Sequence, residues 1–242
     1  MNDSIFMFND FKLLLKNLQN AIKQKQSYSL LLGESGTGKT TILKTLSKSL
    51  DKSKYQLLYI SHGQPTPSTF IRLLAGHFHL PVRNSRAETS KLILQTIRHL
   101  PQYLLIFFDE AHYLSDETFI EIRLLAEAEL DQPSLFSVIF SALPSLKNRL
   151  LTPNLFPLWR RMITKNNLRG LIIEEVKSFL EFSFSKKTID KISNEARNLI
   201  FEQSFGTPAL LNLYTQQLLN KFPNTNITKE HVLEIIDNNE TL

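Results

Sequence analysis

The stretch Gly33-Glu34-Ser35-Gly36-Thr37-Gly38-Lys39-Thr40 constrains this chain more than any other. It has the form G-x-x-x-x-G-K-[ST]. It lies between a short apolar run, Tyr28-Ser29-Leu30-Leu31-Leu32, and an amphipathic one that begins at Thr40. A strand–loop–helix of this form turns backbone N–H groups inward around a phosphate, and the helix N-terminus adds partial positive charge. Lys39 is then placed to contact the outer phosphates, and the Thr40 hydroxyl to ligate Mg²⁺. The expected nucleotide-binding residues are Gly33, Glu34, Ser35, Gly36, Thr37, Gly38, Lys39, Thr40 and Thr41. Glycine usage agrees: 7 glycines in 242 residues is about 3% against a typical ~7%. Three of them, Gly33, Gly36 and Gly38, fall within six positions. A residue used so sparingly and then clustered marks unusual backbone.

The rest of the first two thirds alternates strand and helix patterns. Apolar Phe11, Leu14, Leu15, Leu18 and Ile22 recur at three- and four-residue steps and predict a helix over 11–25. Further helices are predicted over 40–50, 70–78, 91–100 and 118–130. Strands are predicted over 28–32, 55–60, 103–108 and 135–141. The 103–108 run is continuously apolar, as in a strand covered on both faces. Alternation of this kind means βα units and a parallel sheet. After Gly170 no clear strand remains; helices are predicted over 173–184, 189–204, 208–221 and 229–236. Thr207-Pro208 reads as an N-cap followed by proline at the first helical position. Thr228 reads as another cap, with Ile227 and Val232 as a hydrophobic staple.

The 103–108 strand ends in Asp109-Glu110. At the carboxyl edge of an open α/β sheet, where ligands bind, Asp109 can hold Mg²⁺ through water. Glu110 can polarise an attacking water as a base. Glu110 is followed by Ala111-His112, giving the letters D-E-A-H, and Ser141-Ala142 stands on a later strand. Those letters suggest a helicase. Such helicases close ATP between two RecA-like domains, and the residues after 170 leave no room for a second.

Composition removes other classes. The chain is 42% hydrophobic and holds no cysteine, which excludes disorder, disulfide scaffolds, thiolate metal sites and cysteine nucleophiles. No run of eighteen apolar residues exists, and Met1-Asn2-Asp3-Ser4 does not begin a signal peptide. A cytoplasmic protein with no membrane span is expected. The formal charge is +5, and residues 131–170 carry six basic side chains against Asp131 alone. Lys147, Arg149, Arg160, Arg161, Lys165 and Arg169 are either a solvated face or a surface that meets phosphate. His77 and His79 form H-x-H without a clear third metal ligand.

With these elements in place, the sequence resembles a P-loop ATPase of the AAA+ superfamily. Within it, the resemblance is to the bacterial group of ExeA-type secretion ATPases and the transposition regulators MuB, TniB and TnsC. The residues that carry it run from Phe8 to Leu219. They include Asp109-Glu110-Ala111-His112-Tyr113-Leu114-Ser115, Glu121-Ile122-Arg123-Leu124-Leu125 and Ala142-Leu143-Pro144-Ser145-Leu146. Leu168-Arg169-Gly170-Leu171 with Glu174-Glu175, and Gly206-Thr207-Pro208 with Leu211-Asn212, complete the set. The resemblance implies a three-layer α/β P-loop NTPase core with a parallel sheet over residues 1–168 and a small all-helical lid over 169–242. It implies ATP and Mg²⁺ as cofactors. Arg161, in preference to Arg160, resembles an arginine finger that reaches the γ-phosphate of a neighbouring subunit. Ser61 or His62 stands where the group places a polar residue that restrains the catalytic glutamate. Two positions depart from the group. Ala209 replaces the lid arginine, and Leu143 replaces a glutamine of the fourth strand, with Ser141 as its substitute. Those departures predict slower hydrolysis or weaker discrimination between ATP and ADP, with nucleotide binding intact.

The resemblance implies an ATP-dependent regulator of DNA transposition that self-associates into a ring or filament on double-stranded DNA and recruits a transposase. Arg72, Arg83, Arg86 and Lys91 are the candidate DNA contacts. The alternatives are an ExeA-like ATPase that assists assembly of a secretion complex, and a weakly hydrolysing nucleotide-gated protein switch.

Overall fold

The computed structural model describes residues 4–61, 63, 65–128, 134–223 and 225–240. They fall into two compact units. One holds Leu14–Gly33 and Lys39–Asn167. The other runs from Leu168 onward and takes in the N-terminal residues through Leu13 and the loop segment Glu34–Gly38.

The first unit is an α/β layered core. In chain order its elements are α1 (Asn9–Lys23, which belongs to this unit from Leu14 on), β1 (Tyr28–Gly33), α2 (Lys39–Ser49), β2 (Tyr55–Ile60), α3 (Pro67–His77), α4 (Arg86–Arg98) and β3 (Tyr103–Phe108). A 3-10 turn at Ala111–Tyr113 follows, then α5 (Asp116–Ala126), β4 (Phe136–Ala142), α6 (Leu146–Leu150), α7 (Phe156–Arg161) and β5 (Met162–Leu168). The strand order is β2-β3-β4-β1-β5. Strands β1 and β4, β2 and β3, and β3 and β4 pair in parallel. This order sets the ends of β2 and β4 on either side of the end of β3, which decides what can reach Asp109.

The central strands are buried on both faces. Leu30, Leu104, Ile106, Phe108, Val138 and Phe140 join one core with Phe70, Ile93, Phe119 and Leu146 of the helices. Phe140 lies 5.6 Å from Phe108 and 5.2 Å from Phe119, ring centre to ring centre. The residues between them in sequence, Leu31, Leu105, Phe107 and Ile139, are buried as deeply. Side chains alternate along a strand, so these occupy the opposite face, where α2 meets β1 and β4. Two covered faces explain why the strands read as unbroken apolar runs.

Several boundaries differ from expectation, each for a local reason. Helix α3 starts at Pro67 because Thr66 caps it, its side chain accepting the Thr69 N–H. Helix α5 starts at Asp116 because Ser115 accepts the Thr118 N–H, and it ends at Ala126; the expected residues 129–130 lie outside the described ones. Helix α4 begins at Arg86, five residues before the expected start. Strand β5 was not expected. Its sequence, MITKNNL, buries Met162, Asn166 and Leu168 and exposes Ile163, so a mostly polar edge strand carried no apolar signal.

The second unit contains α8 (Ile173–Phe184), α9 (Lys186–Ile189), α10 (Asn194–Ser204), α11 (Pro208–Lys221) and α12 (Lys229–Glu240). Helices α8 and α11 have the bounds the sequence predicts. The single helix expected over 189–204 is broken. Ser193 caps α10 by accepting the Ala196 N–H, and Ile192 forms an isolated strand-like bridge to Ile227. Thr207 stands at the N-cap of α11 ahead of Pro208, but its side chain makes no capping bond. Two glycines meet in this unit. Leu171 N–H donates to the Gly206 carbonyl at 2.8 Å. A Cβ on Gly170, whose φ is +108°, would lie 2.5 Å from that same oxygen. No side chain fits there. The N-terminal segment joins the unit through Asp10, which accepts the Arg169 N–H, and Glu175, which accepts the Asn9 N–H.

Candidate functional site

Asp109 follows the last residue of β3 and is the centre of the site. Its Oδ2 accepts hydrogen bonds from Thr40 Oγ1 at 2.7 Å and Tyr59 OH at 2.9 Å. Its Oδ1 accepts from Ser141 Oγ at 2.9 Å and the Glu110 N–H at 3.1 Å. The donors come from the start of α2, the end of β2, the end of β4 and the following residue. The strand order brings them together. Four donors, two on each oxygen, fix the plane of the carboxylate. Burial, reinforced by the Asp109 charge, raises the Tyr59 pKa, so the phenol stays protonated and donates. Ser141, expected as the substitute for the fourth-strand glutamine, is fully buried on β4 and its hydroxyl is spent on Asp109. Tyr59 was missed: a tyrosine inside a strand reads as apolar filler.

The phosphate-loop residues divide between the two units. Lys39 opens α2, is 5% exposed, and donates Nζ–H to the Gly33 carbonyl at 2.9 Å. The ammonium is thus held at the mouth of the loop by the loop's own backbone. Thr41 lies beside Thr40 in the first turn of α2. In the second unit, Thr37 is buried and its hydroxyl donates to the Glu34 carbonyl, while Glu34, Ser35 and Gly36 are exposed. Gly36 has φ +78°. The Ala209 N–H donates to its carbonyl at 3.3 Å, and a Cβ on Gly36 would lie 2.7 Å from the Ala209 Cβ. The small residue at 209 therefore lies directly against the loop tip.

Thr40 and Asp109 are hard oxygen donors in contact, with the second Asp109 oxygen anchored by Ser141. A hydroxyl and a carboxylate so arranged fit Mg²⁺, which binds through one or two protein oxygens and keeps most of its waters.

Glu110 adopts the left-handed conformation, φ +54° and ψ +38°. Such backbone in a non-glycine residue is sparsely populated and is held only by its surroundings. Here the surroundings are specific. Arg149 of α6 donates to the carbonyls of His112 and Leu114, both at 2.8 Å, and to Asp116 Oδ1 at 2.6 Å. The His112 ring has Nε2 3.5 Å from Glu110 Oε2 and Nδ1 3.4 Å from the Leu143 nitrogen. Arg149 and His112 were missed as site residues. Arg149 reads in sequence as one member of a basic stretch; in the structure it turns toward the Glu110 turn.

Arg161 ends α7, and its Nε lies 2.9 Å from Glu127 Oε1. Glu127 also accepts from the Tyr28 hydroxyl at 3.1 Å and faces Arg123 at 3.8 Å. Arg160 is exposed and makes no ion pair with a described residue. Neither arginine joins the Asp109 cluster. Ser61 directly follows β2, whose Ile60 carbonyl accepts the Asp109 N–H at 2.9 Å; His62 lies outside the described residues. Arg72, Arg83 and Arg86, all exposed, line one cavity of about 100 Å³. Arg83 shares an adjoining hollow with Lys91. Among the described residues, no helix is long and apolar enough to cross a membrane.

Comparison with known proteins gives one family and a set of relatives. The AAA domain family matches residues 22–150. General secretion pathway protein A of Aeromonas hydrophila is 27% identical over 214 residues, which is 85% of this chain and 39% of that protein. The chain thus spans well under half of that relative's length. Among solved structures, Pyrobaculum aerophilum CDC6P has a TM-score of 0.69 at 16% identity, covering 92% of this chain and 65% of that one. Aeropyrum pernix ORC1, solved in complex with DNA, has a TM-score of 0.58 at 15% identity, covering 93% and 63%. At such identities these structures speak to fold alone.

Proposed function

The chain belongs to the AAA domain family and is an ATPase with the P-loop α/β fold, and on that premise we propose that it is the ATP-driven module of an ExeA-like secretion apparatus, assisting assembly of a cell-envelope complex. The observation that carries this reading is the match to General secretion pathway protein A, which extends over 214 residues. The loop amides of Gly33–Gly38 receive the phosphates of ATP. Lys39 exchanges the Gly33 carbonyl for the outer phosphates, and Thr41 adds contacts from the first turn of α2. Thr40 and Asp109 hold Mg²⁺, which offsets phosphate charge when bound. Glu110 accepts the proton of the attacking water, and Ser141 keeps Asp109 in its plane. Residues 169–242 act as the helical lid. Arg161, or Arg160 beside it, serves a second copy of the chain. A head-to-tail interface of that kind closes a ring or winds a filament. For Arg161 this requires release from Glu127.

Affinity capture tests the reading. Glu110→Gln, loaded with ATP, serves as bait beside Lys39→Ala, which cannot hold it. A membrane protein retained by the first bait and lost from the second is expected. Capture that ignores nucleotide, together with an ATP-dependent shift of duplex DNA, would overturn it.

A second reading, a DNA-binding regulator of transposition, is favoured by the convergence of Arg72, Arg83 and Arg86 on one cavity. The fold is also that of ORC1, solved with DNA. It predicts a duplex shift with a non-hydrolysable ATP analogue that weakens as salt rises from ~50 mM. No shift at that salt removes it.

A further inference from the structure

The Glu110 turn and the segment after β4 are joined at two points that the functions above leave unused. One is the Arg149 guanidinium on the His112 and Leu114 carbonyls. The other is the His112 ring. Its Nδ1 faces the Leu143 nitrogen at 3.4 Å. An amide N–H can only donate, so Nδ1 is the accepting nitrogen and the ring's N–H lies at Nε2. That nitrogen points at Glu110 Oε2 from 3.5 Å. The ring is 10% exposed while the Glu110 side chain is 44% exposed. A largely buried donor therefore faces a carboxylate that is partly open to solvent. The Tyr113 ring, 4.1 Å away centre to centre, covers the imidazole. The spacing exceeds a made hydrogen bond by a few tenths of an ångström, which a small carboxylate rotation closes.

We propose that His112 is the positioning residue of Glu110: anchored by the Leu143 amide, it donates from Nε2 to one carboxylate oxygen and leaves the other to accept the water's proton. A base oriented by a third group is the general logic of activated nucleophiles. Ser141 donates to Asp109 while Leu143, two residues on, fixes the partner of Glu110, so the end of β4 sets both carboxylates. The inference rests on Glu110 as the base.

Amide substitutions separate the two ring nitrogens. Gln places its amide near Nε2 and can still donate to Glu110; Asn reaches only the Nδ1 position and can still accept from Leu143. Steady-state ATP hydrolysis and ATP-analogue binding are measured for the full chain, wild type and variants. For His112→Ala and His112→Asn, kcat falls at least ~10-fold, a part of the ~10²–10⁴ that general-base catalysis supplies, with KM and binding unchanged. His112→Gln stays within about threefold of wild type. Retention by Asn with loss in Gln would mean the ring only anchors Leu143, and would overturn the proposal. So would wild-type turnover in all three. Glu110→Gln separates the layers. A silent Glu110→Gln beside a fully active His112→Ala removes His112 alone. A fully active Glu110→Gln removes the base assignment and the proposal with it.

Discussion

Replacing Arg149 by alanine removes a clamp whose worth can be built from its contacts. The guanidinium donates to two carbonyls at 2.8 Å and to Asp116 at 2.6 Å. Hydrogen bonds to charged groups contribute about 1.5–3 kcal/mol each, but three such terms do not simply add. The Arg149 and Asp116 side chains are 38% and 37% exposed, so screening holds their pair to about 0.5 kcal/mol. The carbonyls regain part of their loss from water once the side chain is gone. The net cost is about 2–3 kcal/mol, which lowers Tm by roughly 4–12 °C in a chain of this size. Urea unfolding of wild type, Arg149→Ala and Arg149→Lys measures it. Lysine, a single point charge, cannot bridge both carbonyls and recovers less than half. Turnover at a temperature where all three are folded should fall as well, because the clamp holds the left-handed turn at Glu110. A loss under ~0.5 kcal/mol for alanine, the size of an ordinary surface change, or full recovery with lysine, would refute the reasoning.

Two further perturbations follow from the site. Gly36→Ala places a Cβ 2.7 Å from the Ala209 Cβ at φ +78°, so stability falls by about 1–3 kcal/mol and ATP-analogue affinity falls with it; urea titration showing no change contradicts the contact. Tyr59 has its pKa raised by burial and the Asp109 charge, so its contribution is present in full below the unfolded pKa of ~10 and is lost as pH rises through the folded value. The stability gap between wild type and Tyr59→Phe is therefore constant through neutral pH and shrinks above pH ~10; a gap that widens there reverses the sign.

Much of this site is legible in the sequence because its signals are local. The phosphate loop needs one strand, one turn and one helix start, all within Tyr28–Thr40. Asp109 and Glu110 need only an apolar strand before them. Ser141 is one of two serines in the FSVIFSA strand, and its place next to the strand's end is what marks it. What stayed hidden depends on strand order. Thr40, Tyr59 and Ser141 lie 69, 50 and 32 residues from Asp109 in the chain, and only the order β2-β3-β4-β1-β5 brings them together. Tyr59 and Arg149 belong to residue types that fill strands and basic faces, so neither carries a mark of its role. Strand β5 was hidden for a related reason: apart from Ile163 its exposed residues are polar, and its buried ones include Asn166. The Arg161–Glu127 pair joins the ends of α7 and α5, a proximity that spacing along the chain does not encode.

Phosphate release from ATP by wild type, Lys39→Ala and Glu110→Gln, with analogue binding measured on the same preparations, tests the site most directly. If the loop binds nucleotide and Glu110 is the base, Lys39→Ala loses binding and turnover together. Glu110→Gln keeps binding and loses turnover by ~10²-fold or more. Turnover in Glu110→Gln equal to wild type, with nucleotide still bound, would contradict it.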